Sequence, residues 1–355
     1  MSKTIYNSTY KKLAVQQLNE ALRFVSSLVL VIGVFLIINE CYAQTSSEIV
    51  MNYIEYQYDK PPSLKSKLIQ SVIGFLGMRK SLEKKMITNN FKKEPTDPPK
   101  SMRKNFKIEE IEQNSRKIWI ISPKNCTSDN VVLFLHGGAY MANLTKPHWS
   151  LIEHLCIKTN SIIVVPDYPL TPEATYKETY NFLEALYARL IIDYPTKPII
   201  FIGDSAGGGL ALGFAQQLRN VNKKQAIEII LLSPWLDISM TNPNIKLLEK
   251  KDNLLSIEGL KSAGQKYAGA LDLKDFRLSP IYGDFTEMPR ISIFTSTNDI
   301  LNADARKCYQ QMRDQQINSN FFEYPAMFHD WIIITDLKES QDAISKITSL
   351  INGDK

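Results

Sequence analysis

The chain contains 355 residues, of which 44% are hydrophobic and 22% are charged, and this composition indicates a globular protein with ample chain for a buried core. Its formal net charge of +5 is uneven, because thirteen Lys and Arg residues stand against only three acids between Lys60 and Lys107. These basic residues are mixed with Pro and short apolar runs, without interleaved Arg and aromatic side chains. The pattern predicts a solvated helical face and argues against a nucleic-acid partner.

The four cysteines indicate neither a zinc site nor a disulfide framework. They form no C-x-x-C pair, and no histidine stands at metal-ligand spacing from them. The four are Cys41, Cys126, Cys156 and Cys308.

One apolar segment, residues 24–38, has no charged residue. As a helix it would span about 22 Å, which is less than the ~30 Å hydrocarbon core of a bilayer. Basic residues precede it and none follows until Lys60, so the positive-inside rule orients the N-terminus toward the cytoplasm. Cys41-Tyr42-Ala43 is similar to a signal-peptide cleavage site, whereas the long stretch before it favours an uncleaved membrane anchor.

Both interpretations of residues 1–43 place the rest of the chain outside the cytoplasm, in a secreted, periplasmic or membrane-anchored protein. An anchor would also give the protein a membrane association. A buried core helix is the third interpretation of the segment.

The rest of the chain alternates between helices and short apolar strands. Residues 44–105 show a weakly amphipathic helical pattern that includes Tyr53, Ile54 and the run from Leu64 to Val72, and residues 179–192 predict a further helix. Predicted strands are 106–111, 117–121, 131–135, 162–165, 199–202, 227–232, 291–295 and 321–324. This order predicts an α/β protein with a mostly parallel sheet covered on both faces, whose function lies at the carboxyl ends of the strands.

A G-x-S-x-G motif, Gly203-Asp204-Ser205-Ala206-Gly207, joins the predicted strand at 199–202 to a small-residue helix at 208–217. Turning from strand to helix within a few residues strains the backbone at the serine, and the two glycines remove Cβ atoms that would clash. The hydroxyl then stands at a helix N-terminus, where the dipole favours negative charge. Ser205 is therefore a candidate nucleophile.

An acid and a base follow the serine in the order that this kind of site requires. Asp299 comes just after the predicted strand at 291–295, and His329 comes after the strand at 321–324. Ser205 needs His329 as its base, and His329 needs a carboxylate to set its tautomer and stabilise the imidazolium. Asp304 is the rival acid but lies a helical turn further on. His148 and His154 fall in a predicted helix, and we interpret both as ordinary helix residues.

The predicted strand at 131–135 leads into His136-Gly137-Gly138-Ala139-Tyr140. Backbone N–H groups of such a loop, together with the N–H of Ala206, can form an oxyanion hole. We interpret His136 as a structural brace of the loop.

Several ordered motifs resemble the hormone-sensitive-lipase-like group of α/β-hydrolases, which are serine esterases and lipases. The resemblance covers about residues 130–346. Its motifs are HGGAY at 136–140, DYPLTPEA at 167–174, GDSAGG at 203–208, SPWLD at 233–237, SPIYGD at 279–284, NDILNAD at 298–304 and MFHDW at 327–331. The sequence departs from the family pattern at two positions. Ala139 stands where many members have a third glycine, and Pro169 stands where many have an arginine.

The resemblance implies the α/β-hydrolase fold, with Asp299 and His329 completing the triad. It implies oxyanion donors at Gly137, Gly138, Ala139 and Ala206. It also implies a helical cap made from residues 44–105 and from an insertion near 238–276, within a catalytic domain at 106–355. Tyr140, Trp235 and Phe328 are candidate pocket walls or plain core residues.

We therefore expect a carboxylic-ester hydrolase that acts on a small-molecule ester through an acyl-enzyme intermediate and needs no cofactor. Lipase, lactonase and amidase or peptidase activities use the same acyl chemistry and remain alternatives. A non-catalytic small-ligand-binding protein is a further alternative, although no member of the triad is missing. Epoxide or haloalkane chemistry normally needs a carboxylate nucleophile, and Ser205 argues against it. The oligomeric state stays open.

Overall fold

A central β-sheet organises the fold. A computed structural model of the chain describes residues 53–353, and in this part the sheet has nine strands. They are β1 (Ile54–Gln57), β2 (Phe106–Gln113), β3 (Arg116–Pro123), β4 (Val131–Leu135), β5 (Ile162–Pro166), β6 (Ile199–Asp204), β7 (Glu228–Leu232), β8 (Arg290–Ser296) and β9 (Ser319–Tyr324). The eight predicted strands are all present, as β2 to β9.

The helices that accompany the sheet include the one predicted at 179–192. They are α1 (Leu64–Phe75), α2 (Met78–Thr88), α3 (Met102–Asn105), α4 (Lys146–Thr159), α5 (Tyr176–Asp193), α6 (Ala206–Asn220), α7 (Ile245–Glu249), α8 (Ile257–Ala268), α9 (Asn302–Asp314) and α10 (Lys338–Asn352).

The strand order across the sheet is β1-β9-β8-β7-β6-β4-β5-β3-β2. The pairings of β3 with β2 and with β5 are antiparallel, and the others are parallel. The expected mostly parallel sheet is thereby confirmed. Because parallel strands end at the same edge, the loops after β4, β6, β8 and β9 meet there.

The central strands are buried on both faces, which explains their continuous apolar runs. Two apolar clusters cover the sheet, one on each side. The first includes Leu183 of α5 and Phe214 of α6, and the second includes Trp149 of α4 and Ile347 of α10. Helices therefore cover both faces, as the alternation of strands and helices predicted.

The helix predicted around Tyr53 and Ile54 is wrong, because Ile54–Gln57 forms strand β1. This strand pairs in parallel with β9, with Ile54 opposite Asn320, and the Ile54 N–H donates to the Asn320 side chain at 3.1 Å. Four residues are too few to show a clear period, and the unpaired edge of β9 decides their conformation.

The two segments predicted to form a cap pack against each other. Lys266 of α8 donates from Nζ to the carbonyl oxygens of Met86 and Ile87 in α2, at 2.6 and 2.9 Å. At the other end, α1 begins at an N-cap, Ser63, and Ser66 donates to the Glu339 carboxylate of α10 at 2.8 Å. The described residues 53–353 fall in one compact unit, so the described parts of both cap segments belong with the sheet.

Within residues 53–353, no helix is both long and apolar enough to cross a bilayer. The apolar segment predicted at 24–38 and the boundary predicted at 43 lie outside the described residues.

Candidate active site

Strand β6 turns into helix α6 at Ser205, whose backbone adopts φ 50° and ψ −119°. This left-handed conformation is strained for a residue with a side chain. Close packing explains both glycines of the motif: a Cβ on Gly203 would lie 2.2 Å from the Gly207 oxygen, and one on Gly207 would lie 2.0 Å from the Leu135 oxygen. The elbow predicted from the sequence is therefore present, with Ser205 directly before the first turn of α6.

The structure brings the three predicted triad residues together. His329 Nε2 lies 2.9 Å from Ser205 Oγ, and His329 Nδ1 lies 2.8 Å from Asp299 Oδ2. All three side chains are buried. Asp299 follows β8 and His329 follows β9, and neighbouring strands of the sheet deliver both residues to the elbow.

The rival residues occupy other positions. The carboxylate of Asp304, in α9, accepts from the Asn242 side chain at 2.9 Å, and burial raises the pKa of Asp304 to about 6. His154 Nδ1 bonds to the Ser150 carbonyl within α4, as an ordinary helix residue.

A second carboxylate reaches the candidate base. Asp330 Oδ2 lies 3.0 Å from His329 Nε2, on the side of the ring that also faces Ser205. Burial lowers the pKa of His329, but the nearby carboxylates of Asp299 and Asp330 outweigh it, so the pKa lies well above its ordinary value. Nε2 carries either a proton that it donates to Asp330 or a lone pair that accepts the Ser205 proton. Asp330 therefore favours the protonated ring.

Sequence analysis missed the role of Asp330. Asp330 stands next to His329 in the MFHDW motif. The direction of its side chain depends on a left-handed backbone, with φ 55°, which the sequence does not predict. Asp, like Asn, tolerates this conformation better than most residues.

Asp204 connects the elbow to the glycine loop. Its Oδ2 accepts the Gly137 N–H at 2.9 Å and lies 3.1 Å from His148 Nε2. His148 Nδ1 in turn accepts the Thr145 N–H at 3.1 Å, so Nε2 is the ring nitrogen that donates to Asp204. His148 lies in helix α4 as predicted, and its contact with Asp204 gives it a role at the site that an ordinary helix residue does not have.

The expectation that Gly137 supplies an oxyanion donor is wrong, because its N–H is already bound by Asp204. Among residues 53–353, the N–H groups of Gly138, Ala139 and Ala206 have no hydrogen-bond acceptor. Gly138 and Ala139 take positive φ values of 119° and 54°, and a Cβ on Gly138 would lie 2.5 Å from the Ala142 oxygen. Three predicted donors thus stay available beside Ser205.

His136 braces the glycine loop, as predicted. Its Nδ1 lies 2.7 Å from the Gly137 oxygen, and its ring stacks on Tyr168 with centroids 4.3 Å apart. The Tyr168 hydroxyl donates to the His136 carbonyl at 2.5 Å. Burial lowers the pKa of His136 to about 3, so the ring stays neutral.

The three candidate pocket walls all belong to the packed interior. Tyr140 and Trp235 lie in the apolar cluster of one face and Phe328 in that of the other. The Tyr140 ring stacks on Tyr267, with centroids 3.7 Å apart.

Comparisons with known proteins agree with the fold. A family model described as α/β hydrolase fold matches residues 132–333. The chain is 29% identical over 208 residues to an esterase of Acinetobacter venetianus, covering 58% of this chain and 68% of that protein. It is 26% identical over 223 residues to an acetyl-hydrolase of Streptomyces hygroscopicus, covering 60% and 74%.

Solved structures show the same architecture. The crystal structure of an esterase from the bacterial hormone-sensitive lipase family superposes with a TM-score of 0.71 at 22% identity, covering 83% of this chain and 99% of that one. The sheet, the elbow motif and the matching family model lead to one conclusion: the chain belongs to the α/β-hydrolase family and is an ester hydrolase of the esterase and lipase type.

Proposed function

We propose that the chain hydrolyses carboxylic esters through an acyl-enzyme formed on Ser205. The observation that carries the proposal is the continuous contact from Ser205 Oγ to His329 Nε2, at 2.9 Å, and from His329 Nδ1 to Asp299 Oδ2, at 2.8 Å. A serine hydroxyl is a weak nucleophile until a base accepts its proton, and this contact supplies the base with its orienting carboxylate.

In the first half of the reaction, Ser205 Oγ attacks the ester carbonyl carbon while its proton moves to His329 Nε2. The tetrahedral intermediate collapses, the bond to the alkoxy oxygen breaks, and His329 returns the proton to the leaving alcohol. In the second half, His329 Nε2 takes a proton from water while the water oxygen attacks the acyl carbon. The bond from that carbon to Ser205 Oγ then breaks, His329 returns the proton to Oγ, and the acid is released.

The oxyanion of each tetrahedral intermediate is bound by the N–H groups of Gly138, Ala139 and Ala206. Their lack of an acceptor within residues 53–353 supports this role, since donors in place before the reaction need no reorganisation. One such donor contributes about 10²–10³ in kcat.

The substrate that we propose is an ester with a small to medium acyl group. The acetyl-hydrolase of Streptomyces hygroscopicus supports the short end of this range. Residues 53–105 and 238–276, the described parts of the two predicted cap segments, form the cap that selects acyl and alcohol groups. Competition of p-nitrophenyl esters with triglycerides, lactones and amides would separate an esterase from a lipase, a lactonase or an amidase.

Turnover of p-nitrophenyl esters of graded chain length tests the proposal. We expect Ser205→Ala to reduce kcat by on the order of 10⁴-fold or more, because the nucleophile is lost while the fold is kept. Ser233→Ala is the matched control, since Ser233 is a buried serine with a positive φ, 43°, after the neighbouring strand β7. Unchanged turnover in Ser205→Ala would end the assignment. Binding of an ester without any hydrolysis by the native chain would instead favour a binding protein.

We also propose that this hydrolysis takes place outside the cytoplasm. The support is the charge pattern around residues 24–38, with basic residues before the segment and none after it until Lys60. Protease treatment of cells whose outer envelope is opened while the cytoplasmic membrane stays intact tests this proposal. A catalytic domain that is protected until the cytoplasmic membrane is lysed would contradict it.

A further inference from the structure

Helix α1 leaves a long apolar stripe in solvent. Leu64, Leu68, Val72, Phe75 and Leu76 recur at the spacing of one helix face, and each is exposed, Leu64 by 85% and Phe75 by 90%. The opposite face is the one that packs, since Ile69 and Ile73 contact the apolar cluster of the sheet. A short amphipathic helix normally buries its apolar face, so this second apolar face needs an occupant.

Basic residues outnumber acidic ones in the sequence that contains the stripe. The stretch from Leu64 to Thr88 holds six Lys or Arg residues and a single acid, Glu83. Lys67, Lys80, Lys84 and Lys85 are exposed, and none of them makes an ion pair with any residue in the range 53–353. Unpaired lysines beside an apolar stripe match a surface with negative charge above hydrocarbon, which is the composition of an anionic lipid bilayer.

We propose that α1 is a membrane-docking helix whose apolar stripe inserts into the headgroup region of an anionic bilayer. Leu68 and Phe75 enter the acyl boundary while Lys67, Lys80 and Lys84 contact lipid phosphates. This surface is distinct from residues 24–38, because it belongs to the folded unit itself and presents one side of a helix.

The position of α1 links the surface to the catalytic loop. Gln70 donates from Nε2 to the Ala326 carbonyl at 2.8 Å, three residues before His329. On the same helix, a Cβ at Gly74 would lie 3.5 Å from the Asn253 side chain of the segment between α7 and α8. Docking through α1 therefore brings a lipid surface next to the loop that carries His329.

A fluorescent label on the stripe tests the docking directly. The full chain carries an environment-sensitive label on Leu68→Cys, with Cys41 and Cys126 replaced by Ser; Cys156 and Cys308 are buried and stay. Vesicles contain phosphatidylcholine and phosphatidylglycerol in a two-to-one ratio. We expect a blue shift of the label and quenching by a nitroxide on the lipid chains. The control label is on Ile192→Cys in α5, which is 76% exposed, and we expect no change there.

The charges are tested in the same assay. Lys80→Gln with Lys84→Gln should raise the lipid concentration at half-maximal shift of the Leu68 label by roughly thirtyfold, because each of the two lysines contributes about 1 kcal/mol near an anionic surface. Lys124→Gln with Lys223→Gln, two exposed lysines elsewhere, is the matched control and should leave the midpoint unchanged.

Three results would overturn the proposal. A label that is already blue-shifted in buffer and ignores vesicles would mean that another part of the chain covers the stripe. A shift that depends on protein concentration without lipid would mean that a second copy covers it. A label that stays in water beside vesicles would mean that the stripe docks to no membrane. The label reports only its own surroundings, so attachment of the chain through residues 1–52 does not produce the expected result.

Discussion

The nucleophile elbow around Ser205 and the helix α1 differ in how closely their residues are packed. Around Ser205, glycines stand where no Cβ fits, and buried polar groups such as Asp204 have defined partners. In α1, a Cβ on Gly74 would have ordinary van der Waals space, and five large apolar side chains of this helix and of its C-cap, Leu76, lie in solvent. The comparison teaches that the elbow depends on close steric fit for its geometry, whereas α1 keeps an exposed apolar surface, on which the proposed membrane docking rests.

The largest effect should come from Gly207→Ala. The new Cβ would lie 2.0 Å from the Leu135 backbone oxygen, and a backbone contact cannot move aside cheaply. We expect a loss of about 2–4 kcal/mol in the free energy of unfolding, with loss of ester hydrolysis. Denaturant unfolding measures the first effect, and p-nitrophenyl ester turnover measures the second. An unchanged free energy of unfolding in this variant would contradict the conclusion that the elbow has no space for a Cβ at Gly207.

A smaller effect should come from Asp330→Asn, which removes one of the two carboxylates beside His329. The charge of Asp330 favours the imidazolium, so its loss lowers the pKa of His329 and populates the base form at lower pH. We expect the acid limb of the log(kcat/KM) profile to move about one pH unit downward. Asp336→Asn is the control, because Asp336 is an exposed carboxylate that pairs with Lys65 of α1. It should leave the acid limb of the profile unchanged.

The smallest effect should come from Gly74→Ala in α1. The nearest atom to the new Cβ would be 3.5 Å away, on the Asn253 side chain, and alanine loses less chain entropy in a helix than glycine. We expect a gain of about 0.5–1 kcal/mol in the free energy of unfolding, with unchanged esterase activity. Thermal unfolding measures this gain. A marked destabilisation would mean that α1 is as tightly packed as the elbow.

The sequence predicted the sheet and the catalytic order because both depend on local patterns. Continuous apolar runs mark the buried strands, and Ser205, Asp299 and His329 each follow one of them. It missed β1 because the conformation of four residues is decided by the edge of β9, more than 260 positions away. It missed the contact of His148 with Asp204 because the two lie 56 residues apart and meet only in the folded chain.

The error at Gly137 has the same origin. A sequence indicates which N–H groups could be donors, but only the folded loop shows that Asp204 already occupies one of them. The signal that could have indicated this bond was a buried aspartate directly before the nucleophile, since a buried carboxylate needs donors.

Trapping the acyl-enzyme tests the central claim most directly. The native chain is mixed briefly with a p-nitrophenyl ester, quenched in acid, digested and examined by mass spectrometry. The account predicts an acyl adduct on the peptide that contains Ser205, absent from Ser205→Ala and present in Ser233→Ala. Turnover of the ester with an adduct on another residue would contradict it.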